Sequence, residues 1–131
     1  MLFQKSPSPH IKTSISVQSM MLMVFYALIP GALASFYFFG WGVIFNLLIA
    51  TSVSLLSEAV ILKLRRRDLR TSLGDGSALI TACLLALALP PLAPWWLTTI
   101  AALFAIVIAK HLYGGLGFNP FNPAMVGYIV V

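Results

Sequence analysis

The chain has 131 residues, 60% of them hydrophobic and 8% charged, with a mean hydropathy of +0.99. Soluble domains carry roughly 25% charged residues, so this balance excludes a soluble globular domain and places the chain in a membrane. The net charge of +5 does not read as a nucleic-acid surface, because Lys63, Arg65, Arg66, Arg67 and Arg70 crowd one short segment between apolar runs. There they act as a topology signal, with attraction to anionic lipid headgroups as a second reading.

Residues 1–19 are polar and hold no sustained period, which predicts an interfacial, cytoplasmic N-terminal arm. Met20 to Phe39 follows with no charge, at a length that crosses about 30 Å of hydrocarbon at about 1.5 Å per residue. Pro30 removes one backbone bond inside this span and predicts a kink. A signal peptide is the competing reading, since Lys5 and Lys12 precede the run and Ala32-Leu33-Ala34 imitates a cleavage site. The run continues past that site to Phe39, which favours a span.

Gly40 and Gly42 flank Trp41 as a tight turn at an interface, and a second span runs from about 41 to 62. Two spans return the chain to its starting side. The basic loop from Lys63 to Arg70 then shares a side with the N-terminal lysines, the cytoplasmic one by the positive-inside rule. Asp75-Gly76-Ser77 offers capping oxygens for a short helix over about 77–89, closed by Pro90-Pro91. Trp95-Trp96 anchors the next apolar helix, over about 95–109, and Lys110 marks the return to the basic side. Charge alone leaves open whether 77–109 is a full hairpin or a re-entrant pair. A last apolar helix starts at Pro123 and is too short to span by Val131, which predicts that the chain is a fragment of a longer protein. The fold class expected is all-α, a polytopic helical membrane bundle with short or broken helices.

Glu58 is the only acidic residue in an apolar run, and ionisable groups at membrane depth are candidates for function. Its nearness to the end of the span and to Lys63 favours a structural, interfacial carboxylate, with an ion-path ligand as the alternative. Asn46, Ser52, Ser54, Ser57, Thr81, Thr98 and Thr99 read as packing groups that bond across or within helices. Lone Cys83 has no disulfide partner, and His111 has no second ligand at metal spacing, so no metal site is expected.

The stretch from Lys110 to Ala124 holds Gly114, Gly115 and Gly117 and the pairs Asn119-Pro120 and Asn122-Pro123. Irregular backbone between membrane helices persists only where protein, ligand or a water path satisfies it. The glycines match neither a dinucleotide fingerprint nor a P-loop. Asn122 can cap the next helix with Pro123 in its first position, and such helix starts attract anions. Asn122-Pro123-Ala124 also spells the aquaporin box, but in a single copy and in an unrelated context.

Five ordered blocks carry a more specific resemblance: Glu58-Ala-Val-Ile-Leu-Lys-Leu-Arg-Arg66, Ser77-Ala-Leu-Ile-Thr81, Leu89-Pro-Pro-Leu-Ala-Pro-Trp-Trp96, Ile108-Ala-Lys-His-Leu-Tyr-Gly-Gly-Leu-Gly117 and Asn119-Pro-Phe-Asn-Pro-Ala-Met-Val-Gly-Tyr128. From about Ser8 onward the chain resembles the D subunit of the Rnf/Rsx ion-translocating electron transport complexes. It is more distantly similar to the B subunit of sodium-pumping NADH:quinone reductases. The resemblance implies a multi-pass subunit of the bacterial inner membrane within a six-subunit oxidoreductase (a translocase), built from two inverted repeats of which this chain supplies most of the first. It implies FMN held through a phosphoester to a threonine in a Ser/Thr-x-Ala-Thr context. None of Thr13, Thr51, Thr71, Thr81, Thr98 or Thr99 has that context, so the attachment site is expected outside this chain. Gly114, Gly115, Gly117, Asn119 and Asn122 are then the candidate wall of a flavin or ion path, with Glu58 the candidate ion-path residue. A passive inverted-repeat transporter or channel without redox chemistry is the alternative.

Overall fold

The computed structural model describes residues 16–115 and 117–131, with the Thr71 side chain excepted, and among them the regular elements are all helical. They are α1 (Val17–Phe39), α2 (Trp41–Leu64), α3 (Leu69–Leu73), α4 (Ser77–Ala88), α5 (Trp95–Leu103), a π-helix continuing α5 (Phe104–Leu112), and α6 (Pro123–Val130). The expected interfacial arm falls on residues 1–19, of which 1–15 lie outside the described residues. Ser16 caps α1 by accepting from the Ser19 N–H, so helix begins at Val17, and α1 continues through Pro30.

Among the described residues, three helical stretches are long and apolar enough to cross a membrane: Val17–Phe39, Trp41–Leu64 and Trp95–Leu112. α1 buries none of its residues, leaving large side chains such as Tyr37 and Phe38 exposed on its surface. Apolar surface of that kind is stable against lipid or further protein rather than water. Gly40, at a φ of 73°, turns the chain directly from α1 into α2.

The core is made of small residues. Ala50 of α2 meets Ala82 and Ala86 of α4, and Ala101, Ala102 and Ala105 pack with Leu85, Leu89 and Ala124. Lipid tails are as apolar as leucine, so membrane helices associate through close backbone approach, which alanine and glycine permit. Gly127 of α6 shows how close that approach is: a Cβ there would stand 2.5 Å from the Ala101 carbonyl oxygen.

The hairpin of α4 and α5 reaches the far end of α2. The Pro90 carbonyl accepts from the Asn46 side-chain amide at 2.9 Å, and Pro91 lies so near Gly42 that a Cβ at residue 42 would meet its carbonyl oxygen at 2.1 Å. The Pro90–Pro91 turn therefore sits level with the α1–α2 turn. α4 descends from there antiparallel to α2, and α5 with its π-helical continuation runs parallel to α2, so Trp41 and Trp95 start their helices at the same face.

Candidate functional site

α2 presents Asn46, Ala50, Ser54, Glu58 and Leu62 at four-residue spacing, so one buried stripe carries three polar side chains into the bundle. Glu58 is 1% exposed. Its partner is not Lys63, which is exposed, but Lys110, whose Nζ donates to Glu58 Oε1 at 2.5 Å and to Ser77 Oγ at 2.6 Å. The Ser77 hydroxyl donates in turn to Asp75 Oδ1 at 2.6 Å, and the same oxygen accepts the Ser77 backbone N–H at 2.8 Å. A continuous chain of charge-assisted bonds thus links Asp75, Ser77, Lys110 and Glu58. His111 Nε2 lies 3.6 Å from the same Glu58 Oε1.

The interfacial reading of Glu58 rests on i,i+5 proximity to Lys63, and the structure overturns that pairing. In the bundle, the carboxylate points along the buried face while Lys63 points outward, and depth matching across helices decides instead. Lys110, which in the sequence marks the return to the basic side, is 3% exposed. It lies in the π-helix, where Ala109, Lys110 and His111 are all buried although they are consecutive. π-helical turns recur at functional sites. Enclosed charges of opposite sign attract strongly, yet removing one partner of such a pair typically costs about 3–5 kcal/mol.

The glycine run joins this cluster through the backbone. Gly114 N–H donates to the His111 carbonyl at 3.2 Å and Gly115 N–H to the Lys110 carbonyl at 2.9 Å, closing the end of the π-helix. Gly114, Gly115 and Gly117 have φ values of 111°, 103° and 87°, which L side chains avoid. Asn122 Oδ1 accepts the Ala124 N–H at 3.0 Å as an N-cap of α6, and the Asn119 amide donates to the Phe121 carbonyl at 2.8 Å. The two asparagines brace their own loop. Beside them lies an open apolar groove of about 630 Å³ between the π-helix and α6, lined by Ile108, Tyr113, Phe121, Asn122, Met125 and Ile129 among others.

Three threonine hydroxyls are engaged with protein: Thr81 with the Ser77 carbonyl, Thr98 with Asn46, and Thr99 with the Trp95 carbonyl. The lining residues of the groove include no cation to meet a phosphate.

The sequence brings Glu58 forward but leaves Lys110, His111, Ser77 and Asp75 in other roles. A signal is present. Two helices that start at tryptophans on the same face carry an acid and a base at similar distances from those starts, which places Glu58 and Lys110 at similar depth.

Fold and site together define a polytopic helical membrane protein whose bundle encloses a network of paired charges. The chain belongs to the NQR2, RnfD, RnfE family, whose model matches residues 4–131. It is 57% identical to the D subunit of the ion-translocating oxidoreductase complex of Aliivibrio salmonicida, 53% identical to that of Tolumonas auensis and 49% identical to that of Shewanella piezotolerans. Each comparison covers all of this chain and 37%, 38% and 37% of the respective relative. The chain thus spans little more than a third of the length of these curated relatives.

Proposed function

We propose that this chain is part of the D subunit of an ion-translocating oxidoreductase complex, a membrane subunit that couples electron transfer to ion movement across the bacterial inner membrane. The observation that carries this reading is the Glu58–Lys110 pair enclosed in a membrane bundle, because paired charges at such depth mark ion pathways. Glu58 is the ion-path residue in this proposal. The basic loop from Lys63 to Arg70 and the N-terminus face the cytoplasm, and the partners are the other subunits of a six-subunit assembly and the surrounding lipid.

FMN enters as a cofactor attached to a part of the subunit beyond this chain, where it supplies the electron-transfer chemistry. The loop from Gly114 to Asn122 and the neighbouring groove, with Tyr113 and Phe121, offer an apolar wall for such a ring. They orient and exclude water. Ultraviolet fluorescence of the denatured full-length subunit on a gel tests the flavin, since a covalent flavin survives denaturation; a dark band favours a passive transporter.

Glu58→Gln in the intact complex tests the ion path. Glutamine keeps an acceptor for Lys110, and Asp75 remains as a counter-charge through Ser77, so assembly is expected to persist while ion-coupled activity is lost. Full coupling in that variant would make Glu58 structural. Gly117→Val is expected to damage electron transfer more than assembly, and equal loss of both would leave the glycines only a structural role.

A further inference from the structure

Lys63, Arg65, Arg66, Arg67 and Arg70 all stand exposed at and just beyond the end of α2, against the single carboxylate of Asp68 in the same segment. The helix end does not need their side chains. The carbonyls of Ile61, Leu62 and Lys63 accept the backbone N–H groups of Arg65, Arg67 and Arg66 at 2.9, 3.0 and 3.2 Å, which closes the last turn. Arg66 takes a φ of 53° in that closure, a left-handed position where glycine is the usual residue. Arginine adds charge at a place where the backbone favours another residue.

Beneath the basic turn an open apolar groove of about 440 Å³ runs between α2 and the limb formed by α5 and the π-helix. Val53, Leu56, Val60 and Ile61 form one wall, and Leu103 and Val107 the other. Ser57, also in the wall, turns its hydroxyl back to the Ser54 carbonyl at 3.0 Å and so leaves the surface apolar. Val60 and Lys63 share a face of α2 one turn apart, so the groove leads to the cations. From Val53 to Lys63 the helix rises about 15 Å at about 1.5 Å per residue. That is half of a hydrocarbon core of about 30 Å, the depth of one leaflet and of one acyl chain.

We propose that this surface is a seat for an anionic phospholipid, with an acyl chain in the groove and the headgroup phosphate against Lys63 and the arginines of the turn. The planar fork of arginine suits a phosphate, and the Lys63 stem lies over apolar surface while its ammonium reaches the headgroup plane. A soluble acidic partner would match the charges and leave the groove bare. An apolar helix would fill the groove and leave the charges unmatched. A phospholipid satisfies both, and it bridges from outside the same two helical limbs that Glu58 and Lys110 join inside. Glu58 lies on the buried face of α2, so the seat does not depend on its reading as an ion-path residue.

The test places the intact complex in phosphatidylcholine vesicles containing a trace of photoactivatable lipid, either phosphatidylglycerol or phosphatidylcholine with the same diazirine-bearing acyl chain. Labelled peptides are then identified by mass spectrometry. Phosphatidylglycerol is expected to label residues 53–61 and 103–107 in preference to phosphatidylcholine. Lys63→Gln and Arg66→Gln, both at exposed positions, are each expected to lower that preference about fivefold, the scale for one basic residue at an anionic surface. Val60→Trp, which fills the groove, is expected to reduce labelling by both lipids. Salt at about 0.5 M should bring the wild-type complex toward equal labelling, a readout that needs no variant. Equal labelling by the two lipids at low salt, or a preference unmoved by both charge substitutions, overturns the headgroup site. Absence of label from both segments shows that protein covers the groove and overturns the proposal as a whole.

Discussion

Asn46 and Thr98 share a hydrogen bond across two helices that start at the same end of the bundle, the Thr98 hydroxyl donating to Asn46 Oδ1 at 3.0 Å. The other end of the Asn46 side chain donates to the Pro90 carbonyl, so one residue ties α2 to α5 and to the Pro90–Pro91 turn that precedes it. Interhelical bonds of this type average about 0.6 kcal/mol in a membrane, with a maximum near about 1.7. Asn46→Leu breaks both and also leaves the Pro90 carbonyl without its donor. Its expected cost is about 1–3 kcal/mol, and Thr98→Val, which spares the Pro90 bond, should cost less. Denaturant titration in mixed micelles reads the order; equal costs would mean that the Pro90 bond contributes nothing.

Much of this framework is legible in the sequence, because the membrane restricts the options. Uninterrupted apolar runs mark the spans around Met20 to Phe39 and Trp41 to Leu62, and Pro90-Pro91 marks the hairpin turn. Asn122 before Pro123 announces the cap that the structure shows. The site is harder. Reading Glu58 against its own helix finds Lys63, whereas the actual partner is 52 positions away in sequence. Only the relative depth of two helices brings Lys110 to it, and Lys110 and His111 are buried together in a π-helical turn, which leaves no mark in hydrophobic periodicity.

The ion pair should be asymmetric under mutation. Lys110→Met leaves the Glu58 carboxylate enclosed with only His111 nearby, whereas Glu58→Gln leaves Lys110 with a neutral acceptor and with Ser77 backed by Asp75. Lys110→Met is therefore expected to cost about 3–5 kcal/mol, and Glu58→Gln clearly less. Combining the two should recover much of the loss, since the double variant buries no unpaired charge. The amount of folded protein in membranes, followed by the same denaturant titration, checks the order. A double variant as unstable as the sum of the singles would show that the two residues do not interact energetically.

Left-handed backbone at the end of the π-helix gives a further prediction. Gly115 is buried with a φ of 103° and its N–H holds the Lys110 carbonyl, while Gly117 is exposed with a φ of 87°. Alanine at either position forces a conformation that costs about 1–3 kcal/mol. At Gly115 that strain falls on the turn that fixes Lys110 and His111. Gly115→Ala is therefore expected to mimic part of the Lys110→Met defect in stability, and Gly117→Ala to fray the loop alone. Limited proteolysis separates the two: cleavage confined to the 114–122 loop in both variants would remove the coupling between glycine turn and ion pair.

Close packing of α6 provides the sharpest steric contrast. An alanine Cβ at residue 127 would meet the Ala101 carbonyl oxygen at 2.5 Å and the Ala105 Cβ at 3.1 Å, both on the rigid body of α5 and its continuation. Neither neighbour can swing aside as a flexible side chain would, so α6 must move away from the bundle. Overpacking of this kind costs about 1–3 kcal/mol. Gly31 in α1 has nothing within 4 Å of the same added atom, and there alanine is expected to be neutral or to stabilise by up to about 1 kcal/mol through helix propensity. Gly127→Ala should thus lower thermal stability in detergent while Gly31→Ala does not, and the reverse order would show that α6 is not seated against Ala101 in the folded protein.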